Sequence, residues 1–184
     1  MLEKQSLRKE IKQNVKLLTS EQRDYQSSIV FEKIENSPIF QQAKTVFSFW
    51  SLPDEIPTHR FNERWYQEKK IILPVVVGDD LELRQYQGVA QMQKGAFDIL
   101  EPVGESLSDL SEIDFAIIPG MAFTREGLRM GRGRGFYDRL LPRLKCRRIG
   151  VCFDCQIVES LPLDPWDVPL DGVVVAIDGV QSGI

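Results

Sequence analysis

Apolar residues recur at helical spacing over the first fifty positions and then change rhythm. Leu7, Ile11, Val15 and Leu18 stand four, four and three apart, which is one stripe of an amphipathic helix. Lys4, Arg8 and Lys12 repeat at intervals of four on another face, which by itself reads as the solvated basic side of that helix. Thr19-Ser20-Glu21-Gln22 has the form of a capping box, so a second helix opens there and runs towards Glu35. Ser37-Pro38 supplies a cap and then a proline whose missing N–H is not needed at the first helical position. A short third helix is expected to follow.

From Thr45 the pattern turns to β-branched and aromatic runs. Thr45 to Trp50 predicts a strand, and the proline- and acid-bearing segment from Leu52 to Arg60 a loop after it. Phe61 and Trp65, four apart, mark another helix. Lys70 to Val77 predicts a second strand, with Pro74 pointing to a bulge or an edge. Leu81 to Tyr86 reads as a short half-exposed strand, and residues 87–112 mostly as loop. Phe115 to Ile118, Arg147 to Phe153 and Gly172 to Ile177 complete the strands. Strands alternating with helical patterns predict a single α/β domain, 1–184, built on an open, largely parallel sheet flanked by helices. In such a sheet, ligands bind outside the carboxyl ends of the strands. Three loops qualify: Leu52 to Arg60, Pro119 to Gly135, and the segment after Phe153.

Composition narrows the classes. With 184 residues the chain is long enough to bury a core without disulfides or structural metal. Its 23 basic against 27 acidic residues give a net charge of -4, which argues against a protein built to coat nucleic acid or an anionic membrane. No apolar run reaches bilayer-spanning length, and the N-terminus lacks a signal-peptide core. A cytoplasmic, monomeric protein acting on a small molecule is expected. Three cysteines fit reduced thiols; Cys152 and Cys155 form a CxxC pattern but lack the second ligand pair of a zinc site. His59, the only histidine, has no nucleophile partner that spacing identifies.

The segment with the most chemistry is Pro119 to Leu141, PGMAFTREGLRMGRGRGFYDRLL. Gly131, Gly133 and Gly135 alternate with Arg132 and Arg134, and Arg129 stands just before them. Glycines let backbone N–H groups turn towards an anion, and guanidinium groups bind phosphate oxygens in pairs. Asp138 adds a hard oxygen ligand of the kind Mg²⁺ takes beside phosphates. Residue types and spacing therefore point to a polyphosphate site with a metal. No Gly-Lys-Ser/Thr closes it as in a P-loop, and the spacing is not the dinucleotide fingerprint. A sugar-phosphate or acyl-transfer enzyme without ATP, and an RNA-binding Arg/Gly segment, remain open at this point.

The same segment resembles the signature of the 5-formyltetrahydrofolate cyclo-ligase family: Pro-Gly, a small apolar stretch ending in Phe, a Gly, Arg-Leu-Gly, Gly-x-Gly and Tyr-Tyr-Asp. Three further stretches agree in order: KQSLR near the start, LPDEIPT after the first strand, and QIVESLPLDPWDVPLD near the end. Met130 stands where the family usually has leucine. Phe136 stands where the first tyrosine is usual, so a hydroxyl is lost there.

The resemblance implies an enzyme that uses MgATP to close 5-formyltetrahydrofolate to 5,10-methenyltetrahydrofolate, through a phosphorylated formyl intermediate. It implies ATP contacts from Lys4, Gln5, Ser6, Leu7 and Arg8, and from Arg129, Met130, Gly131, Arg132, Gly133, Arg134, Gly135, Phe136 and Tyr137. It implies folate contacts from Trp50 and Glu55 and from Arg132 to Phe136. Mg²⁺ would be held by Asp138 and Asp167, and Arg132, Arg134 and Asp138 would serve catalysis. Without the resemblance, Asp167 reads as an ordinary turn residue and Trp50 as core packing.

Overall fold

The computed structural model describes residues 2–95, 98–162, 164 and 167–177. Helices α1 (Leu2–Leu17), α2 (Ser20–Glu35) and α3 (Pro38–Gln42) open the chain as the apolar spacing predicts. The capping box is complete: Thr19 Oγ1 accepts from Gln22 N at 3.2 Å, and Gln22 Oε1 accepts from Thr19 N at 2.9 Å. Ser37 caps α3 by accepting from Phe40 N at 3.4 Å, with Pro38 in the first turn. Caps of this kind are each worth about 1 kcal/mol.

Ten strands follow. They are β1 (Thr45–Phe47), β2 (Lys70–Val77), β3 (Asp80–Gln85), β4 (Met92–Lys94), β5 (Leu100–Pro102), β6 (Phe115–Ile118), β7 (Ala122–Phe123), β8 (Arg129–Met130), β9 (Arg147–Val151) and β10 (Gly172–Val174). Six form the main sheet in the order β10-β9-β6-β1-β2-β3, parallel except for the antiparallel β2–β3 hairpin. Helices α4 (His59–Trp65) and α5 (Phe136–Leu140) lie between strands. Alternate residues of each strand feed two cores, because successive side chains leave a strand on opposite faces. Val46, Ile71, Phe115 and Ile117 pack with α1 to α4 through Ile11, Val30, Ile34, Phe40 and Phe61. Phe47, Ile72, Ala116 and Ile118 pack on the other face against Leu140, Leu141 and Leu144. With both faces covered, β6 is buried at all four positions, which explains its continuous apolar run.

Three boundaries differ from the sequence reading. The strand from Thr45 stops at Phe47 rather than Trp50. Phe49 O there accepts hydrogen bonds from Thr58 Oγ1 at 2.6 Å and Asn62 Nδ2 at 2.9 Å, which draw the chain away from the sheet. The strand from Arg147 ends at Val151, and that from Gly172 at Val174. Residues 87–112 contain the antiparallel pair β4–β5 instead of loop alone, and the segment that follows hydrogen-bonds to β3 through Gln85 N to Glu105 O and Leu107 N to Leu83 O. That contact covers the edge of the main sheet. Pro74 is explained by the early end of β1: its alternation in the β2–β3 ladder turns its N-side away from β3, where past Ile72 there is no strand left to bond.

Candidate active site

The strand order reverses between β1 and β6, and the carboxyl ends of these two strands open on a cavity of about 400 Å³. Its lining joins Phe49, Trp50, Leu52 and Glu55 after β1 to Pro119 and Gly120 after β6. Pro74 and Val76 of β2, Leu81 of β3, and Ile99 and Glu101 add a third side, and Arg129 with the run Gly131 to Asp138 the fourth.

The arginine-glycine run is shaped by its own short ribbon. β7 pairs with β8, and the chain then turns through Gly133 at φ +96° and Gly135 at φ +72°, the second entering α5. These are left-handed conformations that cost a residue with a Cβ appreciable strain. Gly133 also admits the Arg8 guanidinium, which would lie 3.3 Å from a Cβ placed there.

Charge in the site is arranged in three pairings. Arg129, buried on β8, donates to Asp138 Oδ1 at 2.5 Å and to Pro119 O at 3.3 Å. Burial lowers its pKa, opposed chiefly by the charge of Asp138, with Asp167 acting in the same direction, so both aspartates act on this one guanidinium. Arg132 reaches across to the loop after β1, donating to Glu55 Oε1 at 3.1 Å and to both oxygens of Asp54 at 2.5 and 3.1 Å. Burial raises the Glu55 pKa, with Arg132 and the Leu52 N–H opposing it. Burial acts in the same direction on Asp54, but the Arg132 hydrogen bonds and charge outweigh it and hold Asp54 below the usual carboxylate range. Lys4, on α1, donates to Asp164 Oδ2 at 2.6 Å and Asp167 Oδ2 at 3.1 Å; burial works against its charge, and the two aspartates outweigh it.

The aromatic side is a cluster of tilted rings. Trp50 lies 4.1 Å from His59 between ring centroids and 5.8 Å from Tyr86, whose buried hydroxyl donates to Glu63. His59 Nε2 is 3.3 Å from Ser51 Oγ, and burial lowers the imidazole pKa. The histidine thus backs the tryptophan instead of facing the cavity, whose lining does not include it.

Each residue singled out from the sequence has a definite place. Trp50, Glu55, Arg129 and Gly131 to Asp138 line the cavity. Met130 is buried behind it, and its carbonyl accepts from Met121 N at 2.8 Å. Arg8 donates to Gly131 O at 2.9 Å, which joins α1 to the glycine run. Gln5 and Ser6 are exposed and Leu7 packs against the core. Lys4 and Asp167 meet each other just outside the lining. Leu163, Pro165 and Trp166 of the closing motif lie outside the described residues. Cys146, Cys152 and Cys155 are free, and burial raises their pKa values, which suits packing better than redox chemistry.

For a divalent ion the donor set is two hard carboxylates, each now neutralised by a cation: Asp138 by Arg129 and Asp167 by Lys4. Among the described residues no group of three acidic, histidine or cysteine side chains gathers into an all-protein cage. Mg²⁺ is commonly held by one or two carboxylates, with phosphate oxygens and waters completing the octahedron. Asp138 and Asp167 suit that arrangement. Three acids escaped the sequence reading. Asp54 and Asp164 sit beside singled-out acids, but nothing in the local pattern marked Glu101.

A family model for the 5-formyltetrahydrofolate cyclo-ligases matches residues 1–176. The chain is 33% identical over 173 residues to the 5-formyltetrahydrofolate cyclo-ligase of Escherichia coli, covering 89% of this chain and 95% of that one. To the protein of the same name from Mus musculus it is 28% identical over 187 residues, covering 93% and 92%. The solved structure of the Aquifex aeolicus 5,10-methenyltetrahydrofolate synthetase matches at a TM-score of 0.84 and 36% identity, covering 97% of this chain and 95% of that one. Fold and likeness agree, and the chain belongs to the 5-formyltetrahydrofolate cyclo-ligase family.

Proposed function

We propose that this protein, acting as one α/β domain, closes 5-formyltetrahydrofolate to 5,10-methenyltetrahydrofolate in a reaction that consumes ATP and requires Mg²⁺. The observation that carries the proposal is one cavity with two chemistries. An arginine-glycine turn suited to phosphate meets Trp50 and apolar side chains suited to a flat heterocycle. The γ-phosphoryl group passes to the formyl oxygen and ADP is released. The neighbouring folate nitrogen then bonds to the formyl carbon and gives up its proton, and the carbon–oxygen bond breaks to release phosphate.

Such a transfer needs positioning and charge stabilisation rather than a protein nucleophile. Arg132 and Arg134 would bind the migrating phosphoryl oxygens, with Arg132 exchanging its Asp54 partner for phosphate while Glu55 keeps its bond to Arg132 Nε. Lys4, Gln5, Ser6, Leu7 and Arg8 would approach the nucleotide from α1, and Arg129 to Tyr137 from the turn. Trp50 would stack on the pterin, while Glu55 holds Arg132 towards the folate. Phe136 offers a ring without the hydroxyl usual in the family. Mg²⁺, on Asp138 and Asp167, would offset charge on the phosphates. The protein would act as a monomer in the cytoplasm, a compartment in which its free thiols would stay reduced. Incubation with 5-formyltetrahydrofolate and MgATP should generate the methenyl chromophore, and omission of ATP should abolish it. No chromophore from folded protein, or equal turnover without ATP, would overturn the proposal.

A further inference from the structure

Two acids are buried in the cavity, Glu55 and Glu101, at 9% and 6% exposure. Their surroundings differ. Both oxygens of Glu55 are engaged: Oε2 accepts from Leu52 N at 2.9 Å, and Oε1 from Arg132 Nε at 3.1 Å. Glu101, on β5, accepts one hydrogen bond, from Val76 N to Oε1 at 3.1 Å, and pairs with no cation among the described residues. This contact occurs because β1 ends at Phe47, leaving the cavity side of β2 without a strand; of the two β2 residues facing that gap, Pro74 has no N–H and Glu101 satisfies that of Val76. Its Oε2 lies where only a glycine can stand alongside, since a Cβ on Gly95 would be 1.7 Å away.

A carboxylate taken out of water is costly unless its acceptor sites are filled. Glu101 has one filled by the protein and keeps further capacity beside the cavity. The complementary ligand is a neutral ring edge with two adjacent N–H donors, as on an aminopyrimidinone, which a carboxylate meets with two parallel bonds. A phosphate is excluded by like charge.

We infer that Glu101 is the substrate-binding residue that reads the amino and ring N–H edge of the folate's pterin, and that Glu55 serves chiefly to hold Arg132. The inference rests on the folate reading above and deepens it. It places the pterin edge at β5 and the β2 gap, with the phosphate chemistry at the arginine-glycine turn.

The test is calorimetric binding of 5-formyltetrahydrofolate, and of its analogue lacking the 2-amino group, in the presence of Mg²⁺ and a non-hydrolysable ATP analogue. The wild-type protein should bind the parent folate about tenfold or more tightly than the analogue, as expected for loss of a charge-assisted hydrogen bond. Glu101→Gln keeps an acceptor for Val76 N and should bind the two equally, with nucleotide affinity unchanged. Glu55→Gln should retain the discrimination. Equal binding of both folates by wild type, or discrimination lost in Glu55→Gln and kept in Glu101→Gln, would overturn the assignment. Should Glu101→Gln melt early, the wild-type comparison of the two folates still decides whether the 2-amino group is read, and Glu55→Gln whether Glu55 reads it. Failure of the wild-type protein to bind any folate would instead defeat the functional reading itself.

Discussion

The side of the cavity proposed to take phosphate is one run of chain, Pro119 to Asp138, carrying its glycines, its arginines and Asp138 within twenty residues. The side proposed for the heterocycle is gathered from Phe49 to Glu55, from the β2–β3 hairpin, and from Ile99 and Glu101, with His59 and Tyr86 supporting Trp50 from behind. The first is polar and cationic, the second apolar with two buried acids. Binding a phosphate asks for backbone N–H groups and guanidiniums close together, which a short loop can supply. A flat ring asks for surfaces on several sides, which only separate elements can provide.

Breaking the loop side should have the largest effects. Asp138→Asn strips the buried Arg129 of its ionic partner and should lower unfolding free energy by about 3 kcal/mol, the low end for removing one member of a buried pair, because Asn can still accept a bond. Denaturant titration measures this, and a loss under about 1 kcal/mol would mean that Asp167 or water takes over. Turnover at fixed Mg²⁺ should fall as well. Arg134→Ala should reduce kcat at least about a hundredfold, with folate affinity retained, if it stabilises the migrating phosphoryl group. Wild-type kcat would place it outside that step.

On the gathered side, effects should be smaller and confined to one ligand. Trp50→Ala should weaken folate binding about tenfold, through lost ring contact, and leave nucleotide affinity unaltered. Parallel weakening of both would show that the two sides are not separable. The smallest effect concerns pH. Partial covering of its ring by Trp50 holds His59, an otherwise exposed residue, below the usual histidine pKa, so the unfolded chain takes up the proton first. Its contribution to stability is therefore present above the usual value near 6.5 and lost as pH falls through the depressed one. Melting temperatures between pH 7.5 and 5 should decline more steeply in the wild type than in His59→Gln. Identical slopes would show that the imidazole titrates freely.

The same contrast governs what could be read in advance. Leu7, Ile11, Val15 and Leu18 gave the face of α1, Thr19 and Gln22 the start of α2, and the buried run of β6 its place inside a sheet, since each signal lies within a few residues. The end of β1 was misplaced because Thr58 and Asn62, both downstream, compete for the carbonyl of Phe49. The β4–β5 hairpin escaped because its strands are short and mostly polar. Asp54 could have been suspected beside Glu55, but its hold on Arg132 spans 78 positions.

Sequence alone determined the helices, the parallel sheet, the cationic, glycine-rich character of the turn, and the family through four ordered motifs. Those properties rest on local periodicity, on backbone freedom at glycine, and on side-chain charge, all carried by neighbouring residues. Tertiary structure decided the partners of the charged groups around the site: Arg129 with Asp138, Arg132 with Asp54 and Glu55, Lys4 with Asp164 and Asp167, and Glu101 with the backbone of β2. Electrostatic pairing depends on distance and burial in space, and the fold sets both by bringing together segments far apart in the chain.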